Sequence, residues 1–296
     1  MEPVVSLCAS ANRVIWWPRF LDSLKGNKVP YEVIFVGDTR PPQETLDKYP
    51  ELKYIYSTTK PAQCYEIAFR AAKGKFIHWT ADDADYHVFK QVLPVHGPDC
   101  FDPLDRAVKA WEDLDAKNGN DGKTVIAFRP IEDGGDVYKF HHFFGGWDHT
   151  PIMAPFCLIG RDYFVNHLGG YDNRFVSGQS ENDVVMRVLE DGGRVEVALD
   201  SFLYVHHRQV HPRTPDGTKE DNKFRKWYNT DRDALEMFWV IGGRGWYEKL
   251  NQMRPGPDFE KAKREVPISP KRLHPVQRFE DTGILTETQG WKGHWV

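Results

Sequence analysis

Gly74-Lys75-Phe76-Ile77-His78-Trp79-Thr80-Ala81-Asp82-Asp83-Ala84-Asp85 places a short apolar run directly ahead of three carboxylates within four residues. Residues 76–80 read as a buried strand, which puts the acidic group in the loop at its carboxyl end. The same pattern stands upstream. Residues 4–8 and 31–36 are apolar, β-branched or aromatic runs, the second stopped by Gly37-Asp38 and Pro41-Pro42, and residues 53–56 form a shorter third. Between that run and the acidic strand, Pro61 opens a helix whose Cys64, Ile67, Ala68 and Ala71 follow the helical period, with Gly74 expected at its C′ position. Strands alternating with helices imply an α/β, doubly wound, mainly parallel sheet flanked by helices, whose ligands sit at the carboxyl ends of the strands. That rule points to Asp38 and to Asp82-Asp83-Ala84-Asp85.

Downstream, the sequence predicts a helix over 104–114, a Gly/Asn link over 117–122 and a strand over 124–128. Residues 134–150 are Gly- and His-rich without a clear period, as in functional loops. Ser180-Glu181-Asn182-Asp183 then opens a helix with Val184, Val185, Val188 and Leu189 on one face and Gly192-Gly193 at its end. Val195, Val197 and Leu199 alternate as a strand, and 202–205 lead extended into His206-His207. From about 214 polar residues and five prolines dominate, with one helix expected over 232–241. The expected organisation is a domain over 1–213, divided into 1–100 and 101–213, with a helical and irregular C-terminal extension over 214–296.

Composition narrows the function. Across 296 residues, 39 Lys+Arg stand against 43 Asp+Glu for a formal charge of −4, without the clustered basic excess of a nucleic-acid footprint. The first apolar stretch, 4–9, lacks a basic leader, and the longest later one, 237–241, is far shorter than a bilayer span. A soluble protein, cytoplasmic or peripheral to a membrane, is expected. Cys8, Cys64, Cys100 and Cys157 are scattered and read as buried free thiols. The 10 Trp, 12 Tyr and 18 Phe exceed what a core needs, and rings clustered over 140–147 and 224–246 are candidates to stack on a sugar.

Three neighbouring carboxylates repel one another unless a cation or hydrogen-bond donors compensate them. Mg2+ or Mn2+ does so while keeping coordination positions for substrate phosphates, so the cluster reads as a metal–diphosphate site; a solvated acidic turn is the plainer alternative. His206 and His207, adjacent on extended chain, point to opposite faces, so one of them reaches the metal at most.

The succession of the 4–8 strand with Asn12-Arg13, the 33–36 strand with Asp38, and 71–77 running into Asp82-Asp83 resembles the nucleotide-sugar half of GT-A glycosyltransferases, among them the inverting family two. Residues 168–175, Ser180-Glu181-Asn182-Asp183, Arg187 and Gly192-Gly193-Arg194-Val195 are similar to the segment that carries that family's catalytic base. The resemblance covers residues 4 to 210. It implies a metal-dependent glycosyltransferase that moves a sugar from a UDP, GDP or dTDP sugar to a hydroxyl acceptor, a glycan foremost, with inversion and with Mn2+ or Mg2+ as cofactor. Position by position, it places Asp38 by the base, Ser10 in the same pocket, Asp82 at the ribose or sugar and Asp83 on the metal. Glu181 stands where the family has its base, usually an Asp. Asp183 is second choice, because a capping box with Ser180 explains it structurally. His206 is the metal-binding histidine, with His207 and His211 as alternates. The chain departs from the pattern at Gly37, Ala81 and Tyr65-Glu66, and Asp85 would supply the carboxylate that Ala81 lacks. Gly37 and Ala81 are the best support for the alternative of a non-catalytic carbohydrate-binding or scaffold protein. His141 and His142 read as part of an acceptor loop, and Trp147 as a stacking or a buried ring.

Overall fold

The computed structural model describes residues 2–89, 99–132, 156–172, 174–176, 178–206, 228–240, 263–264, 276–278 and 285–287. Its framework is β1 (Val5–Ser10), α1 (Trp17–Ser23), β2 (Tyr31–Gly37), α2 (Gln43–Lys48), β3 (Leu52–Tyr56), α3 (Pro61–Ala71), β4 (Phe76–Trp79) and β5 (Ala84–Asp85). Then follow α4 (Pro103–Lys117), β6 (Thr124–Glu132), β7 (Cys157–Gly160), α5 (Ser180–Glu190), β8 (Arg194–Val205), α6 (Tyr228–Phe238), β9 (Trp239–Val240), β10 (Lys263–Arg264), β11 (Val276–Arg278) and β12 (Leu285–Glu287).

Among the described residues one ten-stranded sheet runs β11-β12-β3-β2-β1-β4-β7-β6-β8-β5. β1 lies between β2 and β4, parallel to both, and β3 and β12 continue in the same sense. Strands covered on both faces need apolar side chains on both, and β1 divides accordingly: Val5, Leu7 and Ala9 enter one core with Trp17, Phe20 and Phe35, while Cys8 enters another with Ile67, Phe69 and Val184.

Chain direction across the sheet decides where the site forms. β7 is antiparallel to both β4 and β6, so two reversals return β6 to the direction of β4, and β8 runs parallel to β6. The carboxyl ends of β1, β2, β4 and β8 therefore face one edge. β7 and β5, too short to stand out in the sequence, make this arrangement: β5 pairs antiparallel with the end of β8, Asp85 opposite Tyr204.

Some boundaries differ from the sequence reading. α3 ends at Ala71, with Ala72 already extended. Gly74 is thus no helix cap; its N–H donates to Ser6 Oγ at 2.8 Å, and a Cβ there would stand 2.8 Å from the Ser6 backbone nitrogen. The expected strands over 195–199 and 202–205 are one strand, because opposite the shift between Ala127 and Arg129 the chain bulges and leaves Leu199 exposed. The helix expected over 232–241 gives way at Trp239, where the chain pairs with Lys263 and Arg264. Within the stretch expected as a helical and irregular extension, β11 and β12 are strands of the main sheet. No described helix is long and apolar enough to cross a membrane.

Candidate active site

The carboxyl edge begins with Ser10, level with Val36 at the end of β1. After β2, Asp38 donates its N–H to Asn12 Oδ1 at 2.9 Å, which ties the loop beyond β1 to the loop beyond β2. Gly37 lies under that tie. A Cβ at 37 would overlap the Ala11 carbonyl oxygen and Asn12 Oδ1 and stand 3.0 Å from the Ala11 carbonyl carbon. The Ala11 backbone and the Asn12 side chain fill the space that a side chain at 37 would take. Gly37→Ala is expected to cost roughly 1–3 kcal/mol, as overpacking does, seen as a lower urea midpoint at unchanged slope.

Asp82, fully buried, serves the loop after β1. Its carboxylate accepts the N–H groups of Asn12 at 2.9 Å and Arg13 at 2.8 Å and the Trp17 indole N–H at 3.1 Å, and it pairs with the Arg13 guanidinium. Arg13 also stands 3.4 Å from Asp83 Oδ1. Burial pushes the Asp83 carboxyl up to about 6 against the opposing pull of Arg13, and the Asp82 charge adds to the rise.

Asp85 has two partners: Arg19 Nε and His206 Nε2 each lie 2.8 Å from its Oδ2. His206 reaches this position because its N–H donates to the Asp83 carbonyl at 2.9 Å, continuing the β5–β8 ladder. The Trp16 ring stacks on the imidazole, centroids 5.5 Å apart and planes 21° apart. The buried Nδ1 has no hydrogen-bond partner among the described residues, and in the neutral imidazole whose Nε2 donates to Asp85 it is the atom that carries the lone pair.

This donor set bears on the expected metal. Among the described residues no group of three or more His, Cys, Asp or Glu is arranged to hold an ion. The candidate donors are fewer: the Asp83 carboxylate and the buried Nδ1 of His206, which acts electrostatically on Asp83. Two protein ligands suit a hard cation whose other positions go to water and diphosphate. Asp85, expected as a ligand, has its Oδ2 engaged by Arg19 Nε and His206 Nε2. His207, His211, His141, His142 and Trp147 lie outside the described residues.

Glu181 opens α5, half-buried. Burial raises its carboxyl, Asp231 adds to this, and the N–H groups of Glu181 itself and of Gln179 pull the other way. Glu181 lies within electrostatic reach of Cys157, at the start of β7, and of Tyr65 and Tyr171. Tyr65 joins the two parts of the edge. Its hydroxyl donates to the Thr80 carbonyl at 2.5 Å, and Asp82, Asp83 and Glu181 all act on it. Its neighbour Glu66 accepts the Tyr171 N–H at 2.9 Å and pairs with Arg70 at 2.8 Å, holding the turn that leads to α5.

Asp183 is placed differently. It is fully buried and accepts from Arg187 Nε at 2.8 Å, Trp239 Nε1 at 2.9 Å and Arg264 Nε at 3.1 Å. The expected capping box with Ser180 does not form: Gln179 is the cap residue, in the left-handed region at φ 67, and Ser180 is the first helical residue. Trp239 and Phe238, in the aromatic stretch expected to flank an acceptor, are anchors, with Arg174 and Arg264 stacked on Phe238 at 4.1 and 5.1 Å.

The fold is similar to that of known enzymes. The mannosyltransferase PcManGT from Pyrobaculum calidifontis, solved in complex with GDP-Man and Mn2+, matches over 69% of this chain and 57% of its own, at 17% identity and TM-score 0.51. The fold is GT-A-like. S. aureus TarS 1-349 in complex with UDP-GlcNAc matches over 75% of this chain and 60% of its own, at 15% identity and TM-score 0.48. The chain thus spans 57% to 60% of the length of these two solved chains. No family model and no curated protein matches it. The GT-A-like sheet explains why Ser10, Asp38, Asp82, Asp83, Asp85 and His206, spread over almost 200 positions of sequence, stand at one edge. Arg13, Arg19 and Tyr65 also belong to it. The signal for the two arginines was the acidic cluster itself, which needs compensating charge.

Proposed function

We propose that this protein is a glycosyltransferase that moves a sugar from a nucleoside diphosphate sugar to a hydroxyl acceptor with inversion, UDP, GDP or dTDP sugars being the donor class and a glycan the acceptor. The observation that carries this is that Asp83 and the raised carboxyl of Glu181 both act on Tyr65, while His206, whose Nδ1 has no hydrogen-bond partner among the described residues, acts on Asp83. The 57% overlap with a GDP-Man-bound mannosyltransferase supports the donor class.

In this reading Ser10 and Asp38 line the base pocket, and Asp82 shapes the donor floor through Arg13 and the backbone of the loop after β1. Asp83 and His206 hold Mn2+ or Mg2+, which when bound supplies the positive charge that stabilises the diphosphate leaving group. Glu181 takes the proton of the acceptor hydroxyl as its oxygen forms the new bond to the anomeric carbon. The old anomeric C–O bond breaks on the opposite face, its electron pair leaving with the diphosphate. Asp183, saturated by three donors, anchors α5 and leaves Glu181 as the base. The four buried free thiols suit a reducing compartment, which supports a cytoplasmic setting.

The test is a panel of nucleotide sugars with Mn2+ and with chelator, following release of free nucleotide. Chelator-sensitive release from one donor is expected; silence across the panel would favour the non-catalytic carbohydrate-binding alternative. Asp85→Asn should weaken Mn2+-dependent nucleotide binding roughly 10–100-fold, the usual effect of removing a partner behind a ligand histidine. Titration calorimetry checks it, and an unchanged affinity would remove Asp85 from that role.

A further inference from the structure

The corner from which α5 starts is held from outside. Gln179 stands in the left-handed region, and the Ser180 hydroxyl, buried, has no partner among the described residues. Asp231, on α6 and 1% exposed, accepts the Val176 N–H at 3.0 Å and the Gly178 N–H at 3.0 Å. A single carboxylate spanning two N–H groups two residues apart fixes the path of the chain just ahead of Glu181. We propose that Asp231 is a positioning residue for Glu181: through these two bonds it sets the turn that starts α5 and therefore where the Glu181 carboxylate stands. The inference rests on the reading of Glu181 as base.

Charge gives the proposal a signature that a merely structural contact lacks. The groups that act with Glu181 from other elements are Tyr65 of α3, Cys157 of β7, Tyr171 of the preceding turn and Asp231 of α6. Burial raises Tyr65, Cys157 and Tyr171, so all three stay neutral through the working range. On α5 itself, Asp183 is neutralised by Arg187 and Arg264. The Asp231 charge acts on Glu181 in the raising direction, since a nearby negative charge makes a carboxylate hold its proton to higher pH. Without it Glu181 deprotonates at lower pH.

The experiment measures pH profiles of kcat/KM for wild type, Asp231→Asn and Glu181→Gln, with Asp231→Ala as a second variant. Asp231→Asn keeps an acceptor oxygen and loses the charge, so the acidic limb is expected to move to lower pH with donor KM unchanged. Asp231→Ala also loses the acceptors, and a misplaced base is expected to lower kcat by up to ~100-fold. An unshifted limb in folded Asp231→Asn overturns the proposal, whatever the stability of the Ala variant. Full activity in Glu181→Gln overturns the base assignment and this inference with it. An inactive Glu181→Gln beside an unshifted Asp231→Asn overturns this inference alone.

Discussion

Glu181→Gln is expected to lower kcat for sugar transfer by roughly 10²–10⁴-fold while leaving the affinity for the nucleotide sugar within a factor of about two, since general-base catalysis contributes on that scale and the amide cannot accept the proton. The geometry makes this a clean substitution. Glu181 is half-buried on the first turn of α5, and Gln keeps its volume and one acceptor oxygen for the N–H groups of Gln179 and residue 181. The fold should lose little, because α5 is anchored elsewhere, by Asp183 to Arg187, Trp239 and Arg264 and by Arg187 to the Leu168 and Gly170 carbonyls at 2.6 Å. Burial raises the Glu181 carboxyl, so the base is usable only above the ordinary carboxylate range, and the acidic limb of wild-type kcat/KM should lie above the usual Glu value of about 4.3. Steady-state kinetics with a donor found in the nucleotide-sugar panel checks both statements. Wild-type turnover by the Gln variant would remove Glu181 from the chemistry.

Asp83→Asn carries the second large effect, and it separates binding from stability. The carboxylate is a proposed metal ligand, so Mn2+-dependent nucleotide binding is expected to fall by about 100-fold or more, at or beyond the top of the range for partners one step removed. Stability should move the other way. A carboxyl raised to about 6 in the fold from an unfolded value near 3.8 favours the folded state while protonated, and that contribution is lost as pH rises from about 4 through 6. Above pH 6 the native charge costs stability and Asn does not, so the variant's thermal midpoint should exceed that of wild type without metal. The backbone bond from His206 N–H to the Asp83 carbonyl survives the substitution. A variant that binds nucleotide and Mn2+ like wild type sinks the ligand assignment; one that melts earlier shows Asp83 to be an acceptor the fold needs.

Much of the first half of the sheet was legible in the sequence because each central strand is buried on both faces and reads as an unbroken apolar run between turn residues. The runs over 4–8, 31–36 and 76–80 lie within a residue or two of β1, β2 and β4. Position along the sheet was harder. β5 and β7 are two and four residues long, and their direction, which returns β8 to the site edge, is a property of pairing that local pattern does not carry. Among the site residues, the acidic cluster and His206 stood out by type and by place at strand ends. Their division of labour did not, because it depends on partners far away in sequence: Arg13 on Asp82, Arg19 and His206 on Asp85, Trp239 and Arg264 on Asp183. Asp183 shows this best. Spacing from Ser180 suggested a cap, and the left-handed Gln179 together with donors some 55 and 80 residues later made it an anchor instead.

Arg264 pairs with Asp172 and Asp183, and its N–H donates to Glu190 at 3.0 Å, so one late residue touches both ends of α5. Synthesis runs from the other end. By the time residue 89 is made, the strands that carry Ser10, Asp38 and Asp83 are all present, whereas the helix that carries Glu181 gains its anchors from Trp239 and Arg264 only once residue 264 has been made. A nascent or clipped chain would therefore own the donor-side groups before it owns a firmly seated base. The order of emergence sets the strands of the donor side in place before the proposed base is seated.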